Sequence, residues 1–189
     1  ISNELVKLYA EREVVSVEKY FNFPEELIFA NDFEYEETPD QIKCINEIYK
    51  DLDSTKPMDR LLCGDVGFGK TEVAMRAMFK TVINNRQVAY LCPTTILSKQ
   101  QYENCIKRFR HFPVNIELLN RFTSTKEFNR IKKGLAKGTI DIVIGTHKVL
   151  NKEIEFKNLG LLVIDEEQRF GVAQKEKIKQ KLPDIDVLT

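Results

Sequence analysis

From Thr38 onward, short apolar runs alternate with stretches whose apolar residues recur at helical spacing. Ile42, Ile45, Ile48 and Leu52 lie on one face of a helix that opens at Thr38-Pro39-Asp40-Gln41. Thr38 is a good N-cap, Pro39 takes the favoured first position, and Gln41 completes a capping box. The run Arg60–Cys63 predicts a strand that enters a glycine-rich loop, followed by a helix from about Lys70 to Ile83. Val88–Cys92 predicts the next strand, and Pro93-Thr94-Thr95 leads into a helix through about Phe109. Val114–Leu119 is a third strand, ending at Asn120-Arg121-Phe122-Thr123, and Ser124-Thr125-Lys126-Glu127 opens a helix as a second capping box. Short buried strands follow at Asp141–Ile144 and Leu161–Ile164, then a helix over about 172–181 and a strand at Asp186–Leu188.

Strands this short and apolar, alternating with helices, predict a parallel sheet covered on both faces. Ligands of such sheets gather beyond the carboxyl ends of the strands. The polar clusters at Gly64–Thr71, Thr94-Thr95, Arg121–Thr123, Thr146-His147 and Asp165-Glu166 all fall at such ends. Residues 1–32 break the pattern. Leu5, Leu8 and Tyr9 fit one face of a short helix, and a charged, aromatic stretch without clear period follows. The expected organisation is a helical arm or linker over 1–32, docking on something outside this sequence, and one α/β domain over 33–189.

The 189 residues suffice for one well-buried domain plus an appendage. With 29 basic and 29 acidic residues the formal charge is zero, so a nucleic-acid surface must be a local patch. No apolar run is long enough to span a bilayer, so no membrane association is expected. Cys44, Cys63, Cys92 and Cys105 have no C-x-x-C spacing, and His111 and His147 add no ligand spacing, which argues against zinc and for a reduced, cytoplasmic protein.

Gly64-Asp65-Val66-Gly67-Phe68-Gly69-Lys70-Thr71 matches G-x-x-x-x-G-K-[ST] between a strand and a helix. Backbone N–H groups of such a loop curl around a polyphosphate, and the helix N-terminus that follows favours negative charge. Lys70 is placed to reach the β- and γ-phosphates of ATP, and the Thr71 hydroxyl to ligate Mg²⁺. Leu161–Ile164 delivers Asp165 to the same edge, to hold the Mg²⁺ through water, with Glu166 beside it to orient or deprotonate the attacking water. Acids after a strand also cap helices. Gln41 likewise has two compatible roles: the capping box alone explains it, and its amide also suits an adenine edge with Phe33 or Tyr35 stacked on the ring. Thr94, Thr95, Arg121, Thr123, Thr146 and His147 suit phosphate oxygens of a nucleic-acid backbone, and are equally at home as loop and cap residues. No N-K-x-D guanine-reading motif occurs, since Asn151-Lys152-Glu153-Ile154 lacks the aspartate, which argues against a GTPase.

Together these motifs resemble those of superfamily 2 helicases. Residues 57–74, from Pro57 through the phosphate loop to Ala74, resemble the first ATPase motif of two related bacterial families, the transcription-repair coupling factors and the RecG branch-migration helicases. Thr38–Gln41 resembles their Q motif, Pro93–Leu97 motif Ia, Ile144–His147 motif Ic, and Asp165–Val172 motif II with its extension. Glu36–Gln41, Thr71–Ala74 and Asp165-Glu166-Glu167 favour the coupling-factor form; Gln168 departs from the histidine common in the family.

The resemblance implies a P-loop, RecA-like, three-layer α/β/α ATPase domain. It further implies a whole protein that translocates on double-stranded DNA, displaces stalled RNA polymerase and recruits nucleotide-excision-repair proteins through other domains. A RecG-like motor and a non-catalytic P-loop interaction module are the alternatives. The chain starts without Met and stops within an apolar run, so it is expected to be an excised, monomeric piece without the second RecA-like domain and its arginine finger. Such a finger is worth a factor of about 10³–10⁵ in related hydrolases. The chain alone is therefore expected to bind ATP·Mg²⁺ weakly and hydrolyse it barely; robust DNA-stimulated phosphate release by the isolated chain would contradict this.

Overall fold

The computed structural model describes residues 20–54, 56–60, 68–165, 180 and 185–189. Six strands form one sheet in the order β1-β6-β5-β2-β4-β3. They are β1 (Asp59–Arg60), β2 (Gln87–Leu91), β3 (Ile116–Leu119), β4 (Ile142–Gly145), β5 (Leu159–Ile164) and β6 (Asp186–Leu188). Every pairing among them is parallel. The helices are α1 (Glu25–Asn31), α2 (Pro39–Leu52), α3 (Phe68–Ile83), α4 (Thr95–Arg108) and α5 (Thr125–Lys137), with a 3-10 turn at His147–Leu150. No helix among the described residues is long and apolar enough to cross a membrane.

Strand periodicity sorts the core into two layers. Val88, Tyr90, Ile142, Ile144, Leu161 and Val163 pack with α1 to α4 on one face. Their neighbours Ala89, Leu91, Val143, Leu162 and Ile164 pack with Phe128, Ile131 and Leu135 of α5 on the other. The result is the three-layer α/β/α arrangement that alternating strands and helices predict.

Local chemistry sets the element ends. The Thr38 hydroxyl accepts from Gln41 N, and Gln41 Oε1 accepts from Thr38 N, so the α2 capping box is complete. Ile45, Ile48 and Leu52 are buried as the pattern predicts, but Ile42 in the first turn stays 46% exposed. The second box is half-made: Ser124 accepts from Glu127 N, while the Glu127 carboxylate turns to Arg130. α3 starts at Phe68, two residues before the predicted Lys70. Asp141, expected inside a strand, instead accepts from Asn115 N and closes the entry to β3 and β4. Gln87, the first residue of β2, stitches the same end of the sheet: its amide donates to Leu135 O and Ile140 O and accepts from Asn158 N. The helix expected over 172–181 lies outside the described residues, apart from residue 180.

Residues 20–32 have partners on the domain itself. Phe29 of α1 is 1% exposed and stacks on Phe79 of α3, with ring centroids 4.2 Å apart and planes 6° from parallel. Phe109 and Phe112 complete the aromatic cluster. Lys80 of α3, fully buried, donates to Asn22 Oδ1 at 2.6 Å and Glu26 Oε1 at 3.1 Å. Truncation of the stacked ring removes buried contacts on both sides. Phe29→Ala is expected to destabilise this domain by about 3–5 kcal/mol, read from the shift of its urea unfolding transition.

Candidate functional site

The carboxyl ends of the strands are locked together by backbone bonds that extend the ladder past the regular strands. Asp165 N donates to Leu91 O, Cys92 N to Gly145 O, and Thr146 N to Leu119 O, at 2.9, 2.8 and 3.1 Å. A Cβ at Gly145 would collide with the Leu119 carbonyl and the Val149 side chain, so only glycine allows this approach. Four strand ends therefore share one edge, and the sheet order divides it. β1, β6 and β5 form one half, and β2, β4 and β3 the other.

On the first half, Gly69, Lys70 and Thr71 occupy the first turn of α3, where helix amides lack intrahelical partners and the dipole favours anions. Asp165 immediately follows β5, and only β6 lies between β5 and β1. Two strand spacings put the β1 and β5 ends about 10 Å apart along this edge. Tyr90, nearly fully buried on β2, lies beside Asp165. Burial first, and the Asp165 charge second, push the Tyr90 phenol well above its ordinary pKa, so it remains protonated. Gly64, Asp65, Val66, Gly67 and Glu166 lie outside the described residues, as does the side chain of Phe68.

Thr71 and Phe33 line one cavity of about 170 Å³, together with Tyr35, Glu72, Met75 and Arg108. A buried charge network fixes its walls. Arg76 donates to Glu72 at 2.7 Å and to Glu37 at 2.6 Å, and Arg108 donates to both Glu72 oxygens. Burial works against the Arg76 charge, but Glu37 and Glu72 outweigh it and raise its pKa; Arg76 in turn holds the Glu37 carboxyl below its usual range. The Phe33 ring lies 5.7 Å from both guanidinium groups and packs edge-on to Tyr35. Gln41, one turn into α2, is half-buried in its capping box.

The second half carries the other predicted residues. Thr94 caps α4 by accepting from Leu97 N, and Thr95 is its first residue. Arg121 and His147 are exposed. The Thr123 hydroxyl accepts from Asn120 N and donates to Leu118 O, while Thr146 is 6% exposed at the start of the 3-10 turn. The hydroxyls of Thr94 and Thr123 thus shape the loops, Thr146 is buried without capping the turn that follows it, and Arg121 and His147 face outward. Sequence reasoning missed Ser98, Asn120 and Lys148, which join these loops, and Tyr90, which lies beside Asp165. Asn120 directly after a strand carried a turn signal. Tyr90 inside an apolar run carried none.

A covered parallel α/β sheet with Lys70 and Thr71 in the first turn of a helix and an acid at the end of β5 defines a RecA-like helicase ATPase domain, and the chain belongs to the DEAD/DEAH box helicase family, whose profile matches residues 38–188. More particularly, it is 56% identical over 190 aligned residues to the transcription-repair-coupling factor of Staphylococcus haemolyticus (strain JCSC1435), an alignment covering all of this chain and 16% of that protein. The namesake of Staphylococcus aureus (strain USA300) is 55% identical over the same shares. The chain thus spans 16% of the length of these curated relatives. Among solved structures, RecG bound to a three-way DNA junction is similar at TM-score 0.85 and 37% identity, over 96% of this chain and 24% of that one. Dbp5 of S. cerevisiae, in a complex that includes ADP, shares the fold at TM-score 0.65 and 21% identity, over 89% of this chain and 46% of that one.

The two roles of Gln41 separate experimentally. Gln41→Glu keeps an oxygen for Thr38 N but removes the amide N–H donors an adenine edge requires. It is expected to leave the unfolding midpoint nearly unchanged and to weaken binding of an ATP analogue by about tenfold, measured by titration. Unchanged nucleotide affinity would leave Gln41 a cap alone.

Proposed function

We propose that this chain is the ATP-binding motor domain of a cytoplasmic double-stranded-DNA translocase, and that the intact protein displaces stalled RNA polymerase and couples transcription to nucleotide-excision repair. The observation that carries the reading is the shared strand edge, with Lys70 and Thr71 in the first turn of α3 and Asp165 at the end of β5. The 56% identity to a transcription-repair-coupling factor supports the cellular role. A RecG-like remodeller of branched DNA is the second reading, favoured by the TM-score of 0.85. Polymerase displacement by the intact protein distinguishes the first, fork regression without polymerase the second.

In this reading residues 1–32 lead into a motor domain over 33–189. The amides of Gly64, Asp65, Val66, Gly67, Phe68 and Gly69 wrap the phosphates, and Lys70 neutralises the β- and γ-phosphates. Phe33 stacks on adenine, with Gln41 on its edge. The oxygens of Thr71 and Asp165 suit Mg²⁺, a hard cation that keeps waters and shares phosphate ligands rather than needing a protein cage. When bound, Mg²⁺ supplies charge neutralisation on the β- and γ-phosphate oxygens. Glu166 orients the attacking water and takes up its proton. Arg121, Thr95 and His147 contact the DNA backbone, with Thr94, Thr123 and Thr146 shaping the loops or adding contacts.

Lys70→Ala is the direct test. ATP hydrolysis by the intact protein is expected to fall by about 100-fold or more, from loss of positioned charge at the phosphates, with DNA binding retained. Unchanged hydrolysis would remove the phosphate loop from the mechanism.

A further inference from the structure

Residues 120–123 form a tight turn closed by Thr123 N donating to Asn120 O at 3.0 Å. Asn120 is 4% exposed and every polar group it carries has a partner. Its N–H donates to the Thr123 hydroxyl, and its Oδ1 accepts from Phe122 N at 2.9 Å. Its Nδ2 donates to Ser98 Oγ at 3.3 Å, and its carbonyl accepts from Lys148 Nζ at 3.4 Å. Ser98, fully buried on α4, spends its own proton on Thr95 O. Lys148 also reaches Thr123 O. The segments after β2, β3 and β4 thereby meet at one residue, Asn120, its side chain on Ser98 and its carbonyl under Lys148.

The two corner positions of this clamped turn are Arg121 and Phe122. Phe122 is 75% exposed, and the Arg121 guanidinium lies 4.9 Å from its ring centroid. A turn held this tightly does not need an aromatic at its tip, because every clamp runs through Asn120, Thr123 and Lys148. An exposed ring beside a cation, on an edge with His147, matches the two features single nucleotides offer: a flat apolar face and a phosphate.

We infer that Phe122 is a nucleic-acid contact, its ring lying against a base or deoxyribose face while Arg121 pairs with the adjoining phosphate, and that Asn120 is the positioning residue that fixes both. The inference rests on the proposed DNA-binding edge and deepens it. An apolar side chain of this kind works against nucleotides by displacing water from a base or sugar face, so its contribution is insensitive to salt. The contribution of Arg121 releases counterions and is salt-dependent.

The test is duplex-DNA binding by the intact protein with a non-hydrolysable ATP analogue, measured by fluorescence anisotropy across a salt series. Phe122→Ala is expected to weaken binding about tenfold with the slope of log K against log salt unchanged, and Phe122→Tyr to restore it. Arg121→Ala is expected to weaken binding and reduce that slope by about one. Asn120→Asp keeps the size and the acceptor but loses the donor to Ser98; it is expected to mimic Phe122→Ala without altering nucleotide affinity. If Arg121→Ala weakens binding and Phe122→Ala does not, the ring contact is wrong and the edge stands, including the case where Phe122→Ala lowers only the melting temperature because another part of the protein covers the ring. If neither substitution changes binding, the DNA-binding edge itself is refuted. Asn120→Asp with unchanged DNA affinity overturns the positioning role.

Discussion

The working edge depends on strands that remain in parallel register beyond their last regular residues. The bonds Asp165 N to Leu91 O, Cys92 N to Gly145 O and Thr146 N to Leu119 O bring the polar residues out side by side rather than staggered. Gly145 is the tightest point, since any side chain there would meet the Leu119 carbonyl. Parallel pairing also requires every connection to return across a face of the sheet, which supplies the helices that cover it. Both the edge and the core therefore follow from one choice of strand direction, and the order β1-β6-β5-β2-β4-β3 separates the half that carries Asp165 from the half that carries Arg121 and His147.

A second constraint acts behind the first half. Glu72, Arg76 and Lys80 recur every four residues along α3, and all three are buried. Buried charge is tolerated only when paired and hydrogen-bonded. Glu72 takes Arg76 and Arg108, Arg76 adds Glu37, and Lys80 takes Glu26 and Asn22. The pairs hold residues 22–37 against the helix that bears Lys70 and Thr71. Phe33, between two guanidinium groups, is placed relative to Thr71 by charge rather than by a strand or helix of its own.

This explains which parts were legible in the sequence. The alternation of strands and helices, the α2 capping box and the convergence on one edge all rest on local periodicity and turn chemistry, and each has its counterpart in the structure. The stripe Glu72-Arg76-Lys80 has the spacing of a solvated helix face. Only its partners from far along the chain reveal it as interior. For the same reason residues 20–32 show no period: Phe29 and Glu26 answer to α3, not to each other. Asn120 carried a turn signal, but its bonds to Ser98 and Lys148 span separations that spacing does not encode. Tyr90 looks like one more apolar strand residue until β5 delivers Asp165 beside it.

Two rigid elements run between the halves. β2 carries Tyr90, beside Asp165, and three residues beyond its end Thr94 caps α4. α4 carries Ser98 near its start, bonded to Asn120, and Arg108 at its end, bonded to Glu72 beside Thr71. Coupling between distant sites travels through such packed and hydrogen-bonded contacts. Thr71 precedes Glu72 directly, so its position on α3 is tied to α4 through the buried Glu72–Arg108 pair. A separated charge in the interior costs about 3–5 kcal/mol, so the Glu72–Arg108 pair stays closed. α4 thus links Glu72, beside Thr71, to the turn that displays Arg121 and Phe122, through Arg108 at its end and Ser98 near its start.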